Sequence, residues 1–339
     1  MVQWTRTFPS SCDTIIWQVR QTRDGGYVGA GRVLSRPGRP GSKINLLKMD
    51  SVGNTQWVRF FGCDTLMNVA VAVEQTSDGG YVLAGNDDSL GLCGINVIKT
   101  DSLGNQQWRF NLRTFVTIYD VQQTADGGYV VSGMRINYGL YLLKLSPLGT
   151  FEWARSYEES YGDWTDRRCR VRQTSDGGYI LVAEVLLKTD SLGNEQWRRR
   201  YSGVNVMFSV DQTSDGGYIA AGHGPSPAPA ESLKRFNMVL LKTDSQGNLQ
   251  WKKVFTEGQE SGGLCAIQTA DGGYLVCGDI VQGDLSHGRL VKTDSQGTAV
   301  WTKSLEPRTV VRSCQQTSDG GYILTQGYNH IWKLAPEQE

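Results

Sequence analysis

The sequence predicts an all-β fold, a seven-bladed β-propeller of four-stranded blades, and three observations carry that prediction. The phrase Gln-Thr-x-Asp-Gly-Gly-Tyr occurs seven times, with its tyrosines at Tyr27, Tyr81, Tyr129, Tyr179, Tyr218, Tyr274 and Tyr322. A second phrase, Lys-Thr-Asp-Ser-x-Gly-Asn-x-Gln-Trp in its clearest copies, follows each first phrase. The seventh copy of the second phrase is split between the two ends of the chain.

The first and last tyrosines lie 295 residues apart over six intervals, a mean period of about 49, which is a blade length. The second phrase supplies Lys48, Lys99, Lys144, Lys188, Lys242, Lys292 and Lys333, and then Trp57, Trp108, Trp153, Trp197, Trp251 and Trp301. No tryptophan follows Lys333, but Trp4 stands near the start. That permutation predicts a ring closed by an N-terminal strand that completes the last blade, which removes an open sheet edge. A chain of 339 residues would otherwise suggest two or three domains. The repeat predicts one propeller instead: blade 1 about 9–60, blade 2 about 61–111, blade 3 about 112–156, blade 4 about 157–200, blade 5 about 201–254, blade 6 about 255–304, and blade 7 about 305–339 with 1–8.

Each repeat reads as four short strands, a to d. Strand a ends in the Gln-Thr, strand b is the Gly-Tyr-Val-Leu-Ala-Gly stretch, strand c is the Leu-Leu-Lys, and strand d is the Gln-Trp. Val, Ile, Tyr and Trp fill them, as pleated surfaces favour. Asp-Gly-Gly makes the a–b turn and Asp-Ser-x-Gly-Asn the c–d turn, with glycine supplying the positive φ. These two turns share one face of a propeller, and the b–c and d–a connections share the other. Every length change falls on the second face: Arg32 to Lys43, His223 to Arg235, Ser156 to Arg168 and Thr256 to Gly263. Variable loops on a rigid scaffold carry recognition, so the b–c/d–a face is the expected ligand face.

Composition narrows the partners. The 34 Lys and Arg balance the 34 Asp and Glu, which leaves no electrostatic footprint for nucleic acid. No apolar run approaches the ~20 residues that span a bilayer, so membrane insertion is not expected. No signal peptide is visible, because Trp4 already belongs to the repeat. Seven cysteines follow no metal or redox spacing; Cys265 and Cys277 flank one predicted hairpin, and buried free thiols are the simpler reading. No cofactor phrase is evident, and a monomer is the expectation.

The charged rows are read as structural. The seven lysines and the turn aspartates (Asp24, Asp78, Asp126, Asp176, Asp215, Asp271, Asp319) suit blade-internal pairs and turn caps better than a binding ring. The repeat tryptophans, with Trp17 and Trp332, suit the core. Three candidate sites remain. His223, His287 and His330 fall in predicted b–c loops of consecutive blades, where imidazoles serve as metal ligands or general bases, with Asp279 and Asp284 to complete the set. Polar loops also collect histidines by chance. Tyr157, Tyr161, Asp163 and Trp164 share one d–a loop, where aromatic faces beside carboxylates suit sugars or cations; a solvated loop pinned by one aromatic is the plainer alternative. The strand-a position three residues before the Gln-Thr is read as channel-lining, and there Asp120 and Arg170 would pair across adjacent blades.

The two phrases, Gln-Thr-Ser-Asp-Gly-Gly-Tyr and Lys-Thr-Asp-Ser-x-Gly-Asn-x-Gln-Trp, resemble the repeat propellers of secreted and cell-surface proteins of bacteria and archaea. The resemblance covers all seven blades and implies an extracellular or cell-surface setting. It brings no catalytic motif, so no site residue is inherited from it. Two functions are therefore expected to compete: a binding module for a glycan, small molecule or protein on the variable face, or an enzyme (hydrolase, lyase or oxidoreductase) with a His-containing pocket at the channel mouth.

Overall fold

The computed structural model describes residues 1–8, 14–34, 41–62, 67–89, 92–135, 139–158, 169–225, 236–256, 258, 260–327 and 329–336. Every regular element among them is a β-strand, and together they form seven four-stranded blades arranged as a β-propeller. After β1 (Val2–Thr7), blade 1 is β2 (Ile15–Gln21), β3 (Tyr27–Leu34), β4 (Ser42–Met49) and β5 (Thr55–Phe61). Blade 2 is β6 (Met67–Gln75), β7 (Tyr81–Ser89), β8 (Leu92–Thr100) and β9 (Gln106–Arg113). Blade 3 is β10 (Val116–Gln123), β11 (Tyr129–Arg135), β12 (Gly139–Leu145) and β13 (Phe151–Tyr157).

Blade 4 has shorter strands, β14 (Arg170–Gln173), β15 (Tyr179–Val182), β16 (Leu186–Thr189) and β17 (Glu195–Arg199). Blade 5 is β18 (Val206–Gln212), β19 (Tyr218–Pro225), β20 (Phe236–Thr243) and β21 (Leu249–Phe255). Blade 6 is β22 (Glu260–Gln268), β23 (Tyr274–Gln282), β24 (Leu285–Thr293) and β25 (Ala299–Pro307). The last blade contains β26 (Val311–Gln316), β27 (Tyr322–Gln326) and β28 (His330–Leu334), and β1 pairs with β28 as its outermost strand. The N-terminal strand thus closes the ring as the split tryptophan predicts. The chain divides into two compact units, Met1–Asp163 with Thr317–Glu339, and Trp164–Gln316.

The two repeated phrases assemble a network at the a–b/c–d turns. In blade 5 the Asp215 carboxylate accepts from Thr213 Oγ1 at 2.5 Å, from the Gly217 N–H at 3.0 Å and from Lys242 Nζ at 2.8 Å. Lys242 also donates to the Thr243 carbonyl and to Gln250, so its buried ammonium is fully solvated by protein. The same Lys–Asp pair recurs in all seven blades at 2.7–3.0 Å. The rows of lysines and aspartates are blade-internal, as expected. Burial opposes the charge on Asp24, Asp78, Asp176, Asp215 and Asp271. Hydrogen bonds from Thr, Lys and backbone N–H outweigh it and hold these carboxyls at about 2, below the ordinary 3.8.

Neighbouring blades are stapled at this end by the same residues. In the first unit Gln75, Gln123 and Gln21 accept from the backbone N–H of Arg23, Ser77 and Ser318 of the preceding blade. In the second unit Gln212, Gln268 and Gln316 do so from Ser175, Ser214 and Ala270. Within each unit a repeat tryptophan meets the tyrosine of the next blade, edge-on for Trp4, Trp57, Trp108 and Trp251 and tilted for Trp197, for example Trp108 with Tyr129 at 5.2 Å and Trp251 with Tyr274 at 5.6 Å. Such pairs add about 0.5–1.5 kcal/mol beyond their buried area. Burial, and behind it the aspartate of the preceding blade, pushes the Tyr27, Tyr81, Tyr129 and Tyr218 hydroxyls to about 12.

Toward the opposite face strand a carries a one-residue bulge against strand b in blades 1, 2, 3, 5 and 6. The bulge brings a carbonyl of strand a against the glycine that ends the Tyr-x-x-x-Gly phrase. A Cβ on Gly85 would lie 1.8 Å from the Val69 carbonyl oxygen. Blade 4 has Ala183 at this position, and there β14 and β15 pair without a bulge.

Candidate functional site

The bulge decides which side chains reach the loop face. The extra residue in each bulged strand is Trp17, Val71 or Tyr119 in the first unit, and Phe208 or Leu264 in the second. Trp17 is accordingly only half-buried rather than a core residue, because the bulge turns it out of the alternating pattern. In the second unit Phe208 and Leu264 pack together with Val206 and share one apolar cluster.

Between blades 5 and 6 these bulge residues form one wall of a pocket of about 220 Å³. His223, Phe236, Glu260 and Asp279 complete it. The His223 ring sits between two aromatic rings, 4.6 Å from Phe236 and 5.4 Å from Phe208. Ser261 beneath it is buried, accepts from the Met238 N–H at 2.9 Å and donates to the Phe255 carbonyl, fixing the floor. The pocket therefore combines an imidazole, two carboxylates and two phenyl rings at the end of β19, β20, β22 and β23. Two of the sequence candidates, His223 and Asp279, come together here. Phe208, Phe236 and Glu260 were missed. The usable signal was positional: His223 and Asp279 both stand five residues after the blade tyrosine, and Phe208 and Leu264 four before the Gln of Gln-Thr.

The other candidates are distributed differently. None of the three histidines is in a loop: His223 lies in β19, His287 in β24 and His330 in β28. The blade-6 hairpin continues to a two-residue turn at Gly283–Asp284, which carries His287 into the strand and leaves Asp284 exposed at the tip. His287 Nδ1 lies 3.3 Å from the Leu305 carbonyl oxygen, and His330 Nδ1 lies 2.9 Å from Thr7 Oγ1. Among the described residues no three of His, Cys, Asp and Glu gather closely enough to hold a metal ion. Tyr157 is buried at the end of β13, opposite Leu140. Tyr161, Asp163 and Trp164 lie outside the described residues.

The strand-a position read as channel-lining is shut off from solvent in six blades, at Gln18, Ala72, Asp120, Ser209, Cys265 and Ser313. Several of these side chains tie their strand to the next blade. Gln18 accepts from the Val73 N–H at 2.7 Å, Ser209 from the Ala266 N–H at 3.1 Å, and Cys265 donates to the Cys314 carbonyl at 3.5 Å. Asp120 accepts from the Val121 N–H. The Arg170 guanidinium donates to Cys265 Sγ at 3.7 Å and to the Arg312 carbonyl at 3.1 Å, joining strand a of blade 4 to those of blades 6 and 7. Cys265 pairs in register with Cys277, as the hairpin predicts, and neither they nor Cys314 are in a disulfide. Burial raises the thiols of Cys277 and Cys314, so they are held protonated.

No family model matches the chain, and no curated protein does. Solved propellers do match over nearly the whole length. The Pan2 WD40 domain of Neurospora crassa aligns with a TM-score of 0.68 at 10% identity, covering 100% of this chain and 96% of that one. A streptogramin B lyase gives 0.64 at 11%, covering 98% and 97%. YCF48 from Cyanidioschyzon merolae gives 0.57 at 11%, covering 99% of both. At such identities the likeness speaks for the fold alone, and the chain is a seven-bladed β-propeller.

Proposed function

We propose that this chain is a ligand-binding propeller whose b–c/d–a face recognises a small molecule in the pocket between blades 5 and 6. The observation that carries the reading is the composition of that pocket: Glu260 and Asp279 beside Phe208, Phe236 and His223. Carboxylates set against aromatic faces suit a small cation with an apolar body, since the charge is matched and the rings attract it. The resemblance of the repeat to propellers of secreted and surface proteins supports an extracellular or cell-surface setting for that ligand.

A melting screen with choline, tetramethylammonium and short aliphatic diamines tests the reading. At a hundredfold excess over Kd the folded state gains about 2.7 kcal/mol, which raises the melting midpoint. The double variant Glu260→Gln with Asp279→Asn is expected to abolish the rise while melting normally without ligand. A screen in which no ammonium compound moves the midpoint would sink the cationic reading. The imidazole beside two carboxylates also supports a second reading, an acid–base enzyme at the same pocket. Turnover of a bound compound that His223→Gln abolishes, with binding retained, would favour it.

A further inference from the structure

We propose that the opposite, turn-face end of the blade-5/blade-6 seam is a second binding site, for a neutral polyhydroxylated ligand of mono- or disaccharide size. The seam opens there into a groove of about 540 Å³ lined by Trp251 and Tyr274, by the side chains of Gln250, Gln268 and Gln296, and by the Asp215–Lys242 pair. Three features set the ligand class. The two charges among its lining residues neutralise each other at 2.8 Å, which removes the attraction a phosphate or an amine needs. The remaining polar groups are amides and hydroxyls; the Gln250 and Gln268 carbonyl oxygens already accept from Lys242 and the Ser214 N–H, so their amino groups, with the Gln296 amide and the hydroxyls, are what sugar hydroxyls would meet. The indole ring supplies an apolar surface for the C–H face of a pyranose. The volume lies within the range of small-molecule sites.

The repeat itself indicates why this seam differs from the others. The position of Gln296, at the tip of the c–d turn, carries Val52, Leu103, Leu148 and Leu192 in blades 1 to 4, all more than half exposed. Two residues after the tryptophan, Arg6, Arg59, Arg155 and Arg199 lie over their own indole rings at 5.2–5.6 Å. Blade 5 has Lys253 in that place, and among the described residues no cation covers the Trp251 ring. Blade 5/6 is thus a seam where a polar turn tip meets an uncapped tryptophan.

Residues taken from the other blades provide a test that the fold already tolerates. Saturation-transfer NMR with methyl glycosides of glucose, galactose, mannose and N-acetylglucosamine, and with maltose and cellobiose, is expected to reveal saturable binding of at least one sugar. The double variant Lys253→Arg with Gln296→Leu, which installs the cap and the apolar tip, should weaken that binding at least about tenfold with an unchanged melting midpoint. Glu260→Gln at the far end of the seam should leave it intact. The proposal is overturned by a panel in which no sugar binds saturably, or by a capped variant that binds as well as the parent.

Discussion

The two ends of the seam between blades 5 and 6 share one packed core, with Met238, Leu240, Ala266 and Val276 between them, yet they are built on opposite principles. At the turn end, Thr, Asp, Lys, Gln, Trp and Tyr each repeat in almost every blade and spend their polar groups on each other. At the loop end, the residue five after the tyrosine is Arg32, Asn86, Met134, Glu184, His223, Asp279 or Gly327, a different choice in every blade. Repetition marks what the ring needs in order to close. Variation marks what the ring leaves free, and the loop-end pocket is made of such residues. The turn-end groove arises where the repeated pattern lapses, at Lys253 and Gln296.

Acid is expected to break the turn end first and most completely. Five of the turn carboxylates titrate at about 2 when folded and near 3.8 otherwise. The unfolded chain therefore takes up protons first as pH falls. Stability is fully present above pH ~4 and drains away between pH ~4 and ~2, so unfolding followed by circular dichroism should steepen in that window. A stability flat from pH ~6 to ~2 would refute the account of the turn network.

Truncation comes next in size. Trp251→Ala is expected to lose about 3 kcal/mol or more in urea melts, because it removes the contacts with Tyr274 and the Gly297 turn. Phe236→Ala, on a half-buried ring at the loop end, should cost clearly less. Equal losses would erase the distinction between the two ends. The smallest contrast is electrostatic. Asp215→Asn leaves the buried Lys242 ammonium without its counter-charge, at a cost of about 1–3 kcal/mol. Asp279→Asn, on a half-exposed side chain with no buried ammonium to strand among the described residues, should cost clearly less than Asp215→Asn.

Much of this was legible in the sequence because its signals were periodic. Seven Asp-Gly-Gly-Tyr turns, the displaced Trp4 and the Lys–Asp spacing imply blades, closure and internal pairs, and Cys265 falls opposite Cys277 as its hairpin requires. The loop end was harder to read for a physical reason. Side-chain direction in a strand follows strict alternation, and a bulge shifts it by one residue. Phe208 is the inserted residue of β18, so alternation from Gln212 gives no account of where it points. Glu260 and Phe236 begin their strands, where no repeat phrase fixes the register. His287 looked like a loop residue because the blade-6 hairpin is longer than its phrase, and Gly283, at φ 60°, makes the turn beyond it.

The closing strand also determines how the molecule would yield to force. In the β1–β28 pair Val2 faces Leu334 and Thr7 faces His330, and the Ala335 N–H donates to the Met1 carbonyl at 2.8 Å. Met1 and Ala335 therefore lie side by side at one end of an antiparallel ladder. Tension applied through them loads the hydrogen bonds one after another, as in a zipper, instead of shearing the whole row at once. The β1–β28 clasp would thus open under a modest pull. Linking the ends and cutting the chain within another blade would move that weak point without changing a single packed residue.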